Sequence, residues 1–149
     1  MTFEELIPAL GAKLDIELSV LEGACALEVD GNAVILQEVG ELLLFHADLG
    51  TPPPQGLEKL YRALLEANYL YQGTGGATLA VNPQGGHIHL QKYEWLVRLD
   101  AEQAIEALER FVDTLIAWKH IIEDYRPEII ATPPENIEPS DFSGTFLQV

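Results

Sequence analysis

Histidines, one cysteine and two glycine clusters are the residues of this 149-residue sequence whose types and spacing could do chemistry. His87 and His89 stand two apart in "HIHLQKYEW", so on a strand both project to one side. Two imidazoles can begin a metal site, but a metal needs further ligands. His46, on an earlier strand, is the nearest candidate and Cys25 a remoter one; no spacing in the sequence joins them. Two half-exposed strand histidines are the simpler reading. Cys25 sits in the small-residue run "ACALEV" and reads as a packed thiol; a nucleophile would need a histidine beside it as base. The 24 acidic residues form no conspicuous pair suited to acid–base work.

The glycines look at first like a phosphate cradle. A P-loop, however, runs from strand to glycine loop to helix and ends in Gly-Lys-Ser/Thr. Here "LLEANYLYQGTGGATLAVN" runs from helix to glycines to strand. No lysine follows, and no helix N-terminus stands behind the loop to face an anion. "GTGG" therefore reads as a helix stop, and "NPQGG" as a hairpin turn between "ATLAVN" and "HIHLQKYEW". Neither cluster is chemistry. The sequence gives no ground for an enzyme, and no cofactor or metal is expected.

Those segments belong to a regular alternation of elements. Thr2 and Glu5 form a capping box ahead of Phe3, Leu6, Ile7, Leu10 and Leu14, which recur at helical spacing. Pro8 falls on the polar side of that helix and predicts a kink or a late start. From Ala24 the period becomes two: "ACALEV", the turn Asp30-Gly31-Asn32, "AVILQEV", then "ELLLFHA" after Gly40. Three prolines in "DLGTPPPQG" mark a loop. Residues 57 to 70 return to helix, with Leu57, Leu60, Tyr61, Leu64, Leu65 and Asn68 along one face. Two strands follow, and Asp100 with Gln103 caps a last long helix striped by Ile105, Leu108, Phe111, Val112, Leu115, Ile116 and Ile122. The order α-βββ-α-ββ-α predicts an α+β domain over residues 1–126, with helices packed on a mostly antiparallel sheet. Residues 127–149 form a Pro-rich tail ending in the apolar "FSGTFLQV".

Composition excludes several classes of function. Formal net charge is −16, with 8 basic residues and no basic stripe, so nucleic acid and anionic membranes are poor partners. No stretch approaches the roughly 20 apolar residues of a membrane span. A single cysteine precludes an internal disulfide and fits a reducing compartment. "MTFEELIPALGAKLD" carries glutamates where a secretory leader carries cations, so a cytosolic protein is expected.

With "LLEAN" closing a helix, a glycine break, the strand "ATLAVN", the helix "VRLDAEQAIEALERFVDTLIAW", and in the first half a helix ending near "LG" followed by "CALEVD", the chain resembles the class I type III secretion chaperones, the Tir chaperone family, over roughly residues 3 to 122. The resemblance implies a small acidic homodimer in the bacterial cytosol. It implies that the dimer holds the extended N-terminal segment of one secreted effector partly unfolded, without nucleotide. It further implies a dimer contact built from the middle helix and the strand after it, with Tyr61, Leu64, Asn68, Leu79 and Val81 as candidates. Effector contacts are implied on the first helix and first three strands, at Leu10, Leu14, Ile16, Leu18, Ile35, Leu36 and Phe45. Val34 to Leu36 and Leu42 to Phe45 are apolar on both strand faces, which a half-solvated sheet does not require. That excess hints at a binding surface. The alternatives are a regulatory module of the same fold, of the sensory transduction regulator type, and a small metal-dependent hydrolase using the histidines. Phe142, Phe146, Leu147 and Val149 suggest that the tail folds back, or reaches a neighbour, to cover an apolar patch.

Overall fold

A computed structural model describes residues 1–125. The expectations placed on the Pro-rich tail lie outside the described residues. Helix α1 spans Phe3–Leu14 and opens on the Thr2 capping box: Glu5 N–H donates to Thr2 Oγ1 at 3.3 Å, and Thr2 N–H to Glu5 Oε2 at 3.0 Å. The late start that Pro8 suggested does not occur, because Pro8 sits inside the helix on its exposed side. Glu4, whose carbonyl the missing donor would have met, is exposed, so water can serve it instead. Asp15, in a left-handed conformation, ends the helix, and the chain then passes so close to Gly11 that a Cβ there would lie 2.8 Å from the Ile16 carbonyl oxygen.

Strands β1 (Ala24–Val29), β2 (Asn32–Val39) and β3 (Leu42–Gly50) form a meander; α2 (Leu57–Asn68) follows, then β4 (Thr78–Val81), β5 (Ile88–Trp95) and α3 (Ala101–Asp124). The sheet order is β1-β2-β3-β5-β4, and every pairing is antiparallel. This is the α+β, α-βββ-α-ββ-α architecture that the periodicities predict. The Asp30-Gly31 turn takes positive φ at both residues, 51° and 77°, so its twist matches the strands it joins.

The core follows from alternation. Cys25 and Leu27, Val34 and Leu36, Leu43, Phe45 and Ala47, and Ile88 and Leu90 all turn to one sheet face. There they meet Phe3, Leu6, Ile7 and Leu10 of α1 and Leu108, Phe111, Val112 and Leu115 of α3. Phe45 and Phe111 pack with ring centroids 5.8 Å apart. The opposite face is open and carries Ile35, Val39, Tyr93 and Trp95 as exposed apolar residues.

Both glycine clusters prove to be connections. Gly73 N–H donates to the Ala67 carbonyl at 3.1 Å, and the Gly73 carbonyl accepts from Trp118 Nε1 at 2.9 Å, which docks the end of α2 on α3. A Cβ at Gly73 would stand 2.8 Å from that of Ala67, so only glycine allows this approach. In "NPQGG" the Asn82 carboxamide oxygen accepts from Gln84 N–H at 2.9 Å, and Gly85 and Gly86 supply positive φ. The result is the turn between β4 and β5.

Candidate functional site: an open sheet edge and exposed apolar surfaces

The register sets His89 opposite Asp48, with His46 one step along on the same open face. His87 Nδ1 lies 2.7 Å from Asp48 Oδ2 and His89 Nε2 3.9 Å from it, while the His46 and His89 rings stack at 6.5 Å. His46 and His89 line a shallow recess of about 290 Å³ that also takes in Gln37, Leu44, Val81 and Gln91. Among the described residues, no three His, Cys, Asp or Glu are placed to hold a metal ion together. The thiol of Cys25 is buried in the core, and burial pushes its pKa up, away from a nucleophile's needs.

The histidine cluster carries a pH signature instead. Burial, and after it the neighbouring His89, pushes the pKa of His46 below its ordinary value, and its buried Nε2 has no hydrogen-bond partner among the described residues. At Asp48 burial raises the pKa, but the Gly50 N–H at 2.6 Å, His87 and His89 outweigh it and hold the carboxyl below its usual value. Because the folded chain protonates His46 less readily than the unfolded chain, its contribution is complete above the ordinary pKa of 6.5 and is lost as pH falls below it. Urea midpoints should therefore decline as pH falls below about 6.5, the ordinary histidine value. His46→Leu should flatten that decline; equal slopes in both proteins would contradict it.

The sheet has two edges, and they are treated differently. At β4, Asn68 of α2 turns its carboxamide on the strand: Nδ2 donates to the Leu79 carbonyl at 2.9 Å and Oδ1 accepts from Leu79 N–H at 2.9 Å. That side chain imitates one residue of a neighbouring strand and closes the edge. At β1, Leu21 and Ala24 exchange hydrogen bonds of 2.8 and 3.0 Å across a turn at Glu22-Gly23, both with positive φ. Ala24 thus points its peptide groups away from β2, and by strand alternation so do Ala26 and Glu28. Both are exposed, and among the described residues no strand pairs with their outward-pointing peptide groups.

Apolar side chains flank this open edge. Ile16, Val20 and Leu21 lie exposed on the segment leading into β1, with Leu21 76% exposed, and Ile35 sits opposite Ala26 on the open sheet face. Leu14 and Leu18 are half-buried against the core. Leu10, Leu36 and Phe45 are corrected from candidate contacts to core residues: none is more than 1% exposed, since strand and helix periodicity turns all three inward. Of the other predicted set, Leu64 and Leu79 are buried, Asn68 is engaged with β4, Tyr61 is half-buried and Val81 is exposed.

Further exposed apolar side chains stand at the end of α2, where helical periodicity predicted a continuing helix. Leu65, Tyr69, Leu70 and Tyr71 are all more than half exposed. The helix ends at Asn68, two residues earlier than its pattern suggests, and a tight 3-10 turn follows at Tyr69–Tyr71. Leu70 and Tyr71 take φ of 51° and 56°, a left-handed conformation that β-carbons resist. Three consecutive bulky residues ahead of a glycine run, "YLYQG", were the sequence signal.

Comparisons with known proteins bear on the family and the fold. The sequence model of the Tir chaperone protein (CesT) family matches residues 5–119. No curated protein matches the sequence. Among solved structures, the chain is similar to the HopA1–SchA chaperone–effector complex, with TM-score 0.63 and 18% identity over 82% of this chain and 93% of that one. It is similar to the ExsC–ExsE complex, with TM-score 0.67 and 19% identity over 79% and 91% of the two chains. A third likeness is to the Yersinia pestis type III secretion chaperone SycH in complex with a stable fragment of YscM2, with TM-score 0.63 and 21% identity over 78% and 98%. At such identities the likeness speaks for the fold. Among the described residues, no helix is long and apolar enough to cross a membrane.

Proposed function

The chain belongs to the Tir chaperone protein (CesT) family, and from that premise we propose that it is a cytosolic, homodimeric chaperone that keeps the N-terminal segment of one type III secreted effector extended and partly unfolded. The observation that carries this reading is the open outer edge of β1. Unpaired peptide groups at Ala26 and Glu28 offer an extended chain its hydrogen bonds, and Ile16, Val20, Leu21 and Ile35 offer alternate side chains apolar contact. Binding of this kind consumes no nucleotide, because ordering the segment is offset by the length of the wrapped interface. Residues suited to catalysis play no part in it.

The homodimer rests on a second surface. Tyr69, Leu70 and Tyr71 expose apolar area, Leu70 and Tyr71 in a conformation that costs free energy, with Leu65 exposed four residues before Tyr69 and Val81 exposed on β4. A second copy that buries the patch would compensate both costs. The proposed contact uses exposed side chains at and after Leu65, in place of the buried Leu64 and Leu79.

The test is a pull-down of the tagged chain from its native lysate followed by limited proteolysis. The expected result is one partner at two copies of the chain to one client, protected over a short N-terminal segment alone. Ala26→Pro removes an outward-pointing N–H and none of the β1–β2 bonds, so the fold should survive. It should weaken the client roughly 100-fold, about 3 kcal/mol. A folded partner protected throughout would favour the regulatory module instead.

A further inference from the structure

The open edge of β1 is a liability for the chain on its own. Natural sheets blunt such edges with proline, lysine or a cover, because unpaired peptide groups beside apolar side chains pair with other chains. Strand β1, Ala24–Val29, has neither proline nor lysine. Its outward peptide groups at Ala26 and Glu28 have no strand beside them among the described residues, and Val20 and Leu21 lie exposed just ahead of it. The far edge shows that this chain does cap an edge from within, since Asn68 does so at Leu79.

The end of α3 lies beside the same strand. Lys119 Nζ donates to Asn32 Oδ1 at 2.7 Å, and Asn32 Nδ2 donates in turn to the Val29 and Asp30 carbonyls at 3.3 and 3.0 Å. Ile122 and Glu123 line one recess with Asp30 and Asn32, and Tyr125 packs against the core. The chain therefore leaves α3 next to the β1–β2 turn, and 24 residues, 126–149, follow. Residues 127–139 hold four prolines and three glutamates, a poor ladder strand beside Glu28 on a chain of net charge −16. Residues 142–149 hold no proline and no charged side chain, and Phe142, Phe146, Leu147 and Val149 supply apolar contact. Strand β1 is six residues long, about 20 Å, and the sixteen residues 126–141 can span about 50 Å. Reach is no obstacle.

We propose that residues 142–149 pair with the outer edge of β1 of their own chain as an added strand, and hold the place that the client takes. The inference rests on the chaperone reading for the client, though not for the strand. A tethered segment competes at an effective concentration of about millimolar, so a short strand of weak intrinsic affinity is enough to cover the edge. A client with a longer wrapped interface displaces it.

The test is hydrogen exchange at the amides of Ala26 and Glu28 in the full chain, without client. Both face away from β2, and both should exchange at least about tenfold more slowly in the wild type than in Phe146→Pro combined with Leu147→Pro. Of two successive residues in a paired strand one N–H faces β1, so the two prolines remove it in either register. Cys25 and Leu27, whose amides face β2, should exchange equally in both proteins, which reports an intact fold. Outward amides equally fast in wild type and variant, or equally slow in both, overturn the proposal. So does protection that fades on dilution, which assigns the strand to a second copy. The variant should also capture the client at least about fivefold more tightly, and an unchanged affinity overturns the competition. Tail-dependent protection in a chain for which no client is found supports the added strand and counts against the chaperone reading alone.

Discussion

Asn68→Ala lowers the unfolding free energy by about 2–4 kcal/mol, because it strips two hydrogen bonds from the buried Leu79 of the edge strand. For a chain of this size that amounts to a fall in Tm of roughly 5–15 °C. The loss has two parts that a second variant separates. Asn68→Asp keeps an acceptor for Leu79 N–H but presents a carboxylate to the Leu79 carbonyl, so it should also destabilise the fold. In Asn68→Ala the edge of β4 is left unpaired next to Leu79 and Val81, and an unpaired edge is a template for another chain. Aggregation on heating should rise with the loss of stability. A midpoint unchanged from the wild type would show that the carboxamide clasp contributes nothing. The clasp also makes the two edges differ: β4 is capped at Leu79 by a side chain of the chain itself, whereas among the described residues no strand pairs with the outer side of β1.

Leu65→Asp combined with Leu70→Asp converts the proposed dimer to a monomer of 16.5 kDa in sedimentation at tens of micromolar. In a twofold contact each substitution occurs twice, so four apolar side chains are lost at about 1.5–3 kcal/mol each. The dissociation constant should rise by well over about a thousandfold. Because both side chains are largely exposed in the single chain, its own fold should be unaffected. Leu70→Gly sharpens the test. Glycine adopts the φ of 51° found there without the clash, so the monomer should gain about 1 kcal/mol while the dimer weakens. Opposite signs for folding and association mark an interface; a monomeric wild type would end the idea.

Much of the fold was legible in the sequence because it is written in local periodicity. The switch from helical spacing at Phe3 to Leu14 to alternation at Ala24, the Asp30-Gly31 turn, and the Asp100–Gln103 cap each act over a few residues, and the structure places an element at each. The glycine clusters were also readable, since helix before glycine and strand after leaves a phosphate no helix end to meet. Candidate contacts were harder. Leu10, Leu36 and Phe45 share their residue type and spacing with true surface residues, and a pattern of apolar positions does not say which apolar face the protein itself covers. Asn68 was placed on the correct helix, yet its partner Leu79 lies eleven residues on, beyond any helical period.

By itself the sequence determined the α+β class, the element order, the turns and the family resemblance, because hydrophobic period, capping and turn chemistry are short-range properties. Tertiary structure alone decided which sheet edge is closed and which is open, and where the apolar surplus reaches solvent. Those facts depend on distances between residues far apart in the chain, fixed only once α1, α2 and α3 have chosen the sheet positions they cover.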